Sequence, residues 1–470
     1  MAAIDPSAIE KLRRRLQGSV HAPGDEGYDE GRQAFNLNAH QEPALVVFAA
    51  EESDVVAAVR LAKDQGLGVG VLATGHGVAA PCDGGVLINT SRMRGVRVDP
   101  EAQTARVEAG PLWSDVIPEA QKHGLMGLAG SSSGIGVVGY TLGGGYGWLG
   151  RKYGFAAESM READVVTDDG EIVKASTEEN TDLFWGLKGG GGNFGVVTSL
   201  EFTLYPLKAV YGGGIYYPVE KAFEVLDLYA RWVTGLPNEM TSSVTIINFP
   251  PFPALPEALR GKSVITVRAC YCGDPPEAGR ELMRPWRELG EPVMDAFRTM
   301  PCGEMDSISM DPTDPAAAYS HVELLGDLSA DAITTLVDLA GAGSDSPLTT
   351  LELRELGGAL EGAPSDLSPI GGRGSKFIMS GIGMTPTPEA AQKVQSYLAF
   401  VAESTRPYQT GATYADFLEL DGATPERVKA SYPPEDWERL VALKDRYDPG
   451  NTFRFDRNIP PSPAATSAAT

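Results

Sequence analysis

A histidine stands between two glycines in residues 71–93, which read VLATGHGVAAPCDGGVLINTSRM. The pattern predicts a strand, a loop and a second strand, with His76 in the loop. A neutral imidazole is a competent nucleophile near pH 7, and Gly75 and Gly77 leave open space around its ring. The same glycines let an anion approach the backbone N–H groups. The alternative is a buried histidine whose ring bonds only to the backbone.

Two further glycine runs, Gly145–Gly150 and Gly190–Gly195, have the spacing of a dinucleotide-binding fingerprint. That fingerprint requires a strand before it and a helix after it, because the helix N-terminus receives the pyrophosphate. Gly195 is instead followed by the β-branched run VVTSLEFTL, which predicts a strand, and Gly150 is followed by the short run RKYGF. These glycine runs therefore give only weak support to a Rossmann-type NAD-dependent dehydrogenase, which stays an alternative interpretation of the chain.

The loops that carry these residues lie between regular elements. Helical spacing of apolar residues predicts a helix from Ser53 to Gly66, and the run LGVGVLA that follows predicts a strand. After Pro206 the pattern changes to amphipathic helices separated by strand-like runs such as SVITVRACYC and SKFIMSGIGM. This change places a domain boundary near residue 210. Residues 460–470 contain only Pro, Ala, Ser and Thr, which predicts a disordered tail.

Composition limits the partners of the chain. The 470 residues carry a formal net charge of −24, which disfavours nucleic acid, because phosphate binding needs clustered Lys and Arg. No apolar signal region begins the chain and no run approaches 18 apolar residues, so we expect a cytoplasmic protein without a membrane partner. The four cysteines are too few and too irregularly spaced for a disulfide framework or a zinc site. We expect reduced thiols and no metal.

Four segments in a fixed order carry a resemblance to a known family. They are ATGHG at 73–77, GSSSGIGVVGYTLGGGYGWLGRKYG at 130–154, DLFWGLKGGGGNFGVVT at 182–198, and an ending that runs from YADFLELD at 414 to YDPGNTFRFDRNI at 447–459. Together they resemble the berberine-bridge-enzyme-like oxidoreductases of the vanillyl-alcohol-oxidase superfamily, which have a PCMH-type FAD-binding domain. The resemblance covers nearly the whole chain.

The resemblance implies an α+β fold with a divided FAD-binding domain. Residues 1–210 would form its first part, and residues 211–424 an inserted α+β substrate domain, in which helices cover an antiparallel sheet. Residues 425–459 would return to the FAD-binding domain, and the disordered tail would follow.

The resemblance also implies FAD and its mode of attachment. His76 matches the family residue whose ring nitrogen bonds to the 8α-methyl group of the flavin. Many relatives add a second bond through a cysteine, and Ser132 occupies that position here. Because a hydroxyl is a far poorer nucleophile than a thiolate, we expect a single covalent bond. The FAD-binding residues implied by the segments are Ala73, Thr74, Gly75, His76, Gly77, Val78, Ser131, Ser132, Gly136, Gly139, Gly143, Gly144, Gly147, Gly195, Val197 and Asn458.

The implied chemistry is hydride transfer from a substrate carbon to flavin N5, commonly with a base that removes a proton. Tyr146 matches an active-site tyrosine of many relatives. The family's C-terminal pattern YxNYxDLD is present here as YADFLELD. Tyr414 keeps the first tyrosine, Asp416 takes the asparagine position, and Phe417 replaces the second tyrosine, which is often the base. Tyr146 or Asp416 then supplies the base, or the reaction needs no strong base. Each of the three candidates has a structural alternative, as a core aromatic or as a turn carboxylate.

The expected function is oxidation of an alcohol, sugar, amine or ring carbon in a small organic substrate. Dioxygen is a candidate electron acceptor, and Ile135, at the position thought to control its access, leaves oxidase and dehydrogenase open. The oligomeric state is a monomer or a homodimer. Besides the NAD-dependent dehydrogenase, the third alternative is a non-catalytic flavin- or ligand-binding protein on the same fold.

Overall fold

The computed structural model describes residues 4–253, 255–362 and 366–469, without the side chains of the last two. Up to residue 206 the chain forms two small sheets and a two-stranded pair, β7 with β11. Its strands are β1 Ser19–His21, β2 Leu45–Phe48, β3 Val69–Leu72, β4 Val86–Asn89, β5 Val96–Asp99, β6 Thr104–Glu108, β7 Leu125–Met126, β8 Met160–Val166, β9 Ile172–Ser176, β10 Val196–Thr203 and β11 Tyr205–Pro206. Its helices are α1 Pro6–Arg13, α2 Tyr28–Arg32, α3 Glu52–Asp64, α4 Trp113–Gln121, α5 Val137–Leu142, α6 Gly150–Tyr153 and α7 Thr181–Gly190.

The first sheet, in the order β1-β2-β4-β3, carries the histidine loop. Strands β2, β4 and β3 are parallel, and all four residues of β2 and of β4 are buried, as expected where both faces of a parallel strand are covered. Helix α3 packs on this sheet through the buried side chains of Val55, Val59 and Ala62, which recur at helical spacing. The second sheet is antiparallel, in the order β5-β6-β10-β8-β9.

From residue 209 the chain builds a separate antiparallel sheet in the order β15-β12-β14-β13-β18-β19-β17, with β16 paired to β12. Its strands are β12 Ala209–Pro218, β13 Met240–Asn248, β14 Ser263–Tyr271, β15 Met294–Asp295, β16 Arg298–Pro301, β17 Ala318–Leu325, β18 Thr350–Glu355 and β19 Phe377–Met384. Its helices are α8 Ala222–Trp232, α9 Gly279–Leu282, α10 Arg284–Glu288, α11 Asp306–Ser309, α12 Ala330–Ala340 and α13 Pro388–Thr405. Three helices follow: α14 Pro425–Ala430, α15 Pro434–Tyr447 and α16 Pro463–Ala469.

The two faces of this large sheet differ in chemistry. Val244, Leu353 and Met379 point to one face, where they form a core with α8, α12 and α13. Their neighbours along the strands alternate to the other face, which is polar and includes Glu352 and Arg354. The polar face is directed toward the first part of the chain, so a site between the two parts has a charged wall.

The end of the chain returns to the first part and is held there by a buried ion pair. Lys444 Nζ lies 2.6 Å from Asp448 Oδ2, and both side chains are fully buried. The ammonium group also donates to the carbonyl oxygens of Asn193, at 2.8 Å, and Phe453, at 3.0 Å. Asp448 accepts the backbone N–H groups of Thr452 and Phe453, so every partner of the pair is satisfied.

The helices and strands named from the sequence in the first part are confirmed, and Gly195 does lead into a strand, β10. The tail is different from the expectation: Pro463–Ala469 forms helix α16, in which Ser462 accepts the N–H of Ala465. The Ala-rich sequence of this segment has high helix propensity, which accounts for the helix. Thr470 lies outside the described residues. No described helix is both long enough and apolar enough to cross a membrane. The exact division into domains stays a prediction.

We expect Lys444→Met to destabilise the protein by about 3–5 kcal/mol, because Asp448 is then left buried without a counter-charge. The matched control is Lys63→Met, which breaks the Lys63–Asp168 pair, in which the lysine side chain is 48% exposed. That control should change the free energy of unfolding by no more than about 1 kcal/mol. Urea unfolding of the two variants measures the difference. Equal effects would contradict the role given to the buried pair.

Candidate active site

A cavity of about 420 Å³ lies between the two parts of the chain. The loop after β3 and the glycine segment before α5 form one side of it. The polar face of the large sheet forms another side, through Ser320, Val322, Arg354, Ser380 and Ile382. Residues from the end of the chain complete the wall, among them Asp416, Phe417, Glu419 and Arg457.

The histidine loop leaves its backbone donors free. Gly75 has a φ of +71°, and a Cβ there would stand 2.6 Å from the Cα of Ala34, so a side chain does not fit. The carbonyl groups of Thr74 and Gly75 accept the N–H groups of Phe35 and Asn36. Within the described part of the chain, the N–H groups of residues 74–78 donate no hydrogen bond. A row of free N–H groups beside a cavity suits an anion such as a pyrophosphate.

His76 is held in a fixed orientation at this cavity. Its Nδ1 lies 2.8 Å from the hydroxyl of Thr74, and its ring stacks on Phe35 with 3.8 Å between centroids and 16° between planes. Burial lowers the pKa of the imidazole to about 4. At neutral pH the ring is therefore uncharged and keeps a nucleophilic nitrogen.

The second glycine segment borders the cavity with a face of helix α5 that carries no side chain at Gly139. A Cβ on Gly139, within α5, would meet no atom within 4 Å, and the residue is exposed to the cavity. A smaller cavity of about 130 Å³ shares Val71, Ala73, Gly139, Asp456 and Arg457 with the larger one. The two cavities therefore lie side by side, and together they suit a long ligand. The smaller one is also lined by the predicted residues Gly143, Gly195 and Val197.

Most of the predicted FAD-binding residues line these cavities. Those at the larger one are Ala73, Thr74, Gly75, His76, Gly77, Val78, Ser131, Gly136 and Gly139. Ser131 reaches it with its hydroxyl already bonded to Asp311 Oδ2, at 2.7 Å.

Four predicted FAD-binding residues do not line either cavity. The hydroxyl of Ser132 accepts the N–H of Gly134, at 3.3 Å. Gly144 and Gly147 serve packing instead: a Cβ would stand 2.9 Å from the Tyr414 hydroxyl at Gly144 and 1.9 Å from the Ala129 carbonyl oxygen at Gly147. Asn458 lies behind the wall, where its Oδ1 is buried without a hydrogen-bond partner among the described residues.

Of the three predicted catalytic residues, Asp416 has the environment of a base. It lines the large cavity, and burial raises the pKa of its carboxyl to about 7. Arg457 and the N–H of Gly145 oppose that rise, while the nearby Asp456 and Glu419 add to it. A carboxyl with a pKa near 7 is half ionised at neutral pH and is well matched to proton removal.

The two tyrosines are placed less favourably. Tyr146 lines the cavity, but its hydroxyl donates to the carbonyl oxygen of Glu355, at 2.8 Å. Burial also raises the pKa of Tyr146 far above its ordinary value, so the tyrosinate is costly to form. Tyr414 does not reach the large cavity: it is 3% exposed and packs between Phe155 and Phe417.

Sequence reasoning missed the groups that the large sheet contributes. Arg354, Ser320 and Ser380 come from three different strands, and only the sheet pairing brings them to one wall. Alternation within LELRE places Glu352 and Arg354 on the same face, but does not say which face meets the cavity. Tyr140 was also missed. It lines the cavity, and its buried hydroxyl has no hydrogen-bond partner among the described residues.

Comparisons with known proteins agree with this arrangement. Residues 43–176 match the family model described as FAD binding domain, and residues 414–460 match the model described as berberine and berberine like. The chain is 29% identical over 461 residues to an FAD-linked oxidoreductase of Dictyostelium discoideum, covering 96% of this chain and 97% of the relative. It is 28% identical over 459 residues to (R)-6-hydroxynicotine oxidase of Paenarthrobacter nicotinovorans, covering 95% and 97%.

A solved structure shows the same fold. The xylooligosaccharide oxidase of Myceliophthora thermophila C1 superposes with a TM-score of 0.83 at 21% identity, covering 97% of this chain and 99% of that one. The matched domain and the curated relatives define an FAD-dependent oxidoreductase. More particularly, the chain is similar to the berberine-bridge-enzyme-like, FAD-linked oxidoreductases through both matched domains and through these relatives.

The residues at the cavities fit FAD. The free N–H groups of the histidine loop suit its pyrophosphate, the bare face at Gly139 admits a flat ring system, and the orphaned Tyr140 hydroxyl lacks a partner that a ligand would supply. Among the described residues, no group of three or more His, Cys, Asp or Glu is arranged to hold a metal ion.

We expect Gly139→Ala to weaken FAD binding while leaving the fold intact. The new methyl group points into the cavity, and alanine is favoured over glycine in a helix, so the apoprotein should be as stable as before or more stable. Overpacking against the cofactor costs about 1–3 kcal/mol, or about 5- to 150-fold in affinity. Fluorescence titration of FAD measures this in a His76→Ala background, which removes the proposed covalent bond.

The control is Gly147→Ala, whose Cβ would collide with the Ala129 carbonyl oxygen. This variant should lower the free energy of unfolding itself. If Gly139→Ala binds FAD as tightly as its parent, the flavin does not lie against α5.

Proposed function

We propose that this oxidoreductase holds FAD covalently through His76 and oxidises a small organic alcohol or amine with Asp416 as the base. The observation that carries the proposal is the Asp416 carboxyl, with its pKa raised to about 7, at the wall of the same cavity as the histidine loop. When bound, FAD supplies the acceptor for the substrate hydride. The protein itself binds, orients and removes a proton.

Three features of His76 support covalent attachment. The ring is neutral because burial lowers its pKa, so a nitrogen lone pair is available. The Thr74 hydroxyl forms a hydrogen bond with Nδ1 and Phe35 stacks on the ring, so these two contacts fix the direction of Nε2 without the flavin. Ser132 lies outside the cavity lining, and Cys82 has a pKa raised by burial to about 12, so neither is a suitable second nucleophile.

The surroundings of Asp416 support its role as the base. Arg457, Asp456, Glu419 and the N–H of Gly145 face its carboxylate, and burial outweighs the positive charge. Arg457 Nη2 bonds to the Asp416 backbone oxygen, at 3.0 Å, so the guanidinium positions the segment without neutralising the carboxylate in a direct ion pair. Phe417, beside it, has no hydroxyl to share the proton.

The substrate class follows from the wall and from the relatives. Phe417, Val322 and Ile382 are apolar, and Ser320 and Ser380 offer hydroxyl groups, a mixture that suits a small organic molecule. One relative is named for a nicotine derivative and one solved neighbour for an oligosaccharide, so both amine and alcohol carbons are open to this chain. Ile135 lines the cavity, and dioxygen is the proposed electron acceptor.

We expect the denatured protein to carry one FAD per chain on the peptide that contains His76. His76→Ala should fold, because backbone N–H groups hold the pyrophosphate, and its FAD should be released by acid precipitation. Peptide mapping by mass spectrometry and the colour of the acid pellet measure both outcomes. Cys82→Ala is the matched control and should keep its flavin. Flavin on Cys82, or complete release from the unmodified protein, would overturn this attachment.

We expect Asp416→Asn to slow anaerobic flavin reduction by about 10²-fold or more, because general-base catalysis is lost. A base must be ionised, so the rate in the unmodified enzyme should rise about tenfold per pH unit below pH 7 and level off above it. The variant should lose that dependence. Stopped-flow measurements use a substrate found by screening alcohols, sugars and amines for flavin bleaching.

Tyr146→Phe is the control and should stay within a few-fold of the parent rate, because its hydroxyl donates to Glu355. A full rate in Asp416→Asn would exclude the carboxylate as the base. A large loss in Tyr146→Phe alone would transfer that role to the tyrosine.

A further inference from the structure

Arg354 brings a guanidinium group with free donors to the substrate side of the cavity. Its Nε donates to Glu352 Oε2, at 2.8 Å, and this is its one hydrogen bond within the described residues. The two Nη groups therefore retain donors without acceptors at a wall of the cavity. Its Cζ lies 5.4 Å from the centroid of the Phe417 ring, which fixes the guanidinium next to the residue that follows Asp416.

The ion pairs on this wall contain one more arginine than carboxylates. Glu352 is shared between Arg354 and Arg268, whose Nη1 lies 3.7 Å from Glu352 Oε1. Thr245 also donates to that carboxylate, so its oxygens are occupied. Within these ion pairs, two guanidinium groups share one carboxylate. Asp311 attracts the Arg354 guanidinium electrostatically without forming an ion pair with it, and its carboxylate accepts a hydrogen bond from Ser131.

Arg354 is only partly buried, with 19% of its side chain exposed, so a ligand at the cavity can reach its unused donors and supply the acceptors that they lack. The protein has a net charge of −24, so unused guanidinium donors at its cavity are not a consequence of a basic composition. A carboxylate matches the planar fork of a guanidinium and can accept two hydrogen bonds from it. The apolar surfaces of Val322, Ile382 and Phe417 beside it suit the body of an organic acid.

We propose that Arg354 binds a carboxylate of the substrate, which makes the substrate a small organic acid with an oxidisable hydroxyl or amine group. This inference rests on the proposed function, in which the same cavity holds FAD and Asp416. The carboxylate itself is unchanged in the reaction. The substrate C–H bond would break with its hydrogen and bonding electron pair leaving together as one hydride, for which bound FAD is the acceptor, and the O–H or N–H proton would pass to Asp416. The product is the corresponding oxo or imino acid.

Binding of matched acids and amides to the holoenzyme tests this directly. The probes are benzoate against benzamide and phenylacetate against phenylacetamide, titrated while the visible flavin spectrum is followed. A charge-assisted pair should make each acid bind about 10- to 100-fold more tightly than its amide. Arg354→Gln should abolish the preference, Arg354→Lys should keep part of it, and Arg60→Gln, at an exposed arginine that pairs with Glu171 away from the cavity, should leave it unchanged.

The outcomes separate this inference from the proposed function. A purified protein without flavin would contradict the proposed function, and the inference would fall with it. A yellow protein that binds acids and amides equally would overturn the inference alone, with no need for a variant. If Arg354→Gln kept the acid preference but weakened formation of the sulfite adduct of the flavin, Arg354 would serve the cofactor, and the inference would again be wrong.

Discussion

The buried pair of Lys444 and Asp448 fixes the geometry on which the candidate site depends. Lys444 reaches the Asn193 carbonyl in the loop before β10, while Asp448 organises the turn that leads to Phe453. Asn193 extends this connection, since its side chain donates to the Arg457 carbonyl and accepts the N–H of Ile459. A fully buried ion pair is stable only when its remaining donors and acceptors are also paired, so Asn193, Thr452 and Phe453 must all be in place around it.

Two walls of the cavity are positioned through this connection. The Val69 N–H donates to the Thr452 carbonyl, at 2.8 Å, which joins β3 and its histidine loop to the end of the chain. Arg457 lies further along the same end and holds the Asp416 backbone. His76 and Asp416 are 340 residues apart in sequence, but both are positioned through one buried cluster. The third wall is joined separately, by the buried ion pair of Arg151 with Glu355.

The sequence predicted the cofactor side of the site better than the substrate side, and the reason is physical. A loop that binds an anion through its backbone must be short, bare and local, so ATGHG can be read directly from the chain. The sequence did not separate cavity glycines from packing glycines: Gly139 faces open space, whereas Gly147 is needed because Ala129 lies against it. The sequence also did not show that Tyr414 packs between Phe155 and Phe417, because its motif position does not say which way its ring points.

The substrate side depends on strand pairing across long separations. Ser320, Arg354 and Ser380 become neighbours only because β18 pairs with β19 and β19 with β17 in particular registers, and a shift of one residue would turn each side chain to the opposite face. Alternation predicts two faces for LELRE, one of which is polar. Which face covers the cavity is decided by the apolar packing of α8, α12 and α13 on the other. Tertiary packing therefore determines the charge of the substrate wall.

The charges at the cavity are arranged in opposite ways on its two sides. On the large sheet, two arginines share one carboxylate, while at the end of the chain Asp416, Glu419 and Asp456 surround the single Arg457. Burial raises the pKa of Asp416 and of Glu419 to about 7. A carboxyl whose folded pKa lies above its unfolded value destabilises the fold as pH rises from the unfolded value toward 7, by about 1.4 kcal/mol for each unit of difference. Contacts elsewhere, among them the fully buried pair of Lys444 and Asp448, must therefore offset the cost of ionising these carboxyl groups, and near neutral pH the Asp416 carboxyl is able to accept a proton.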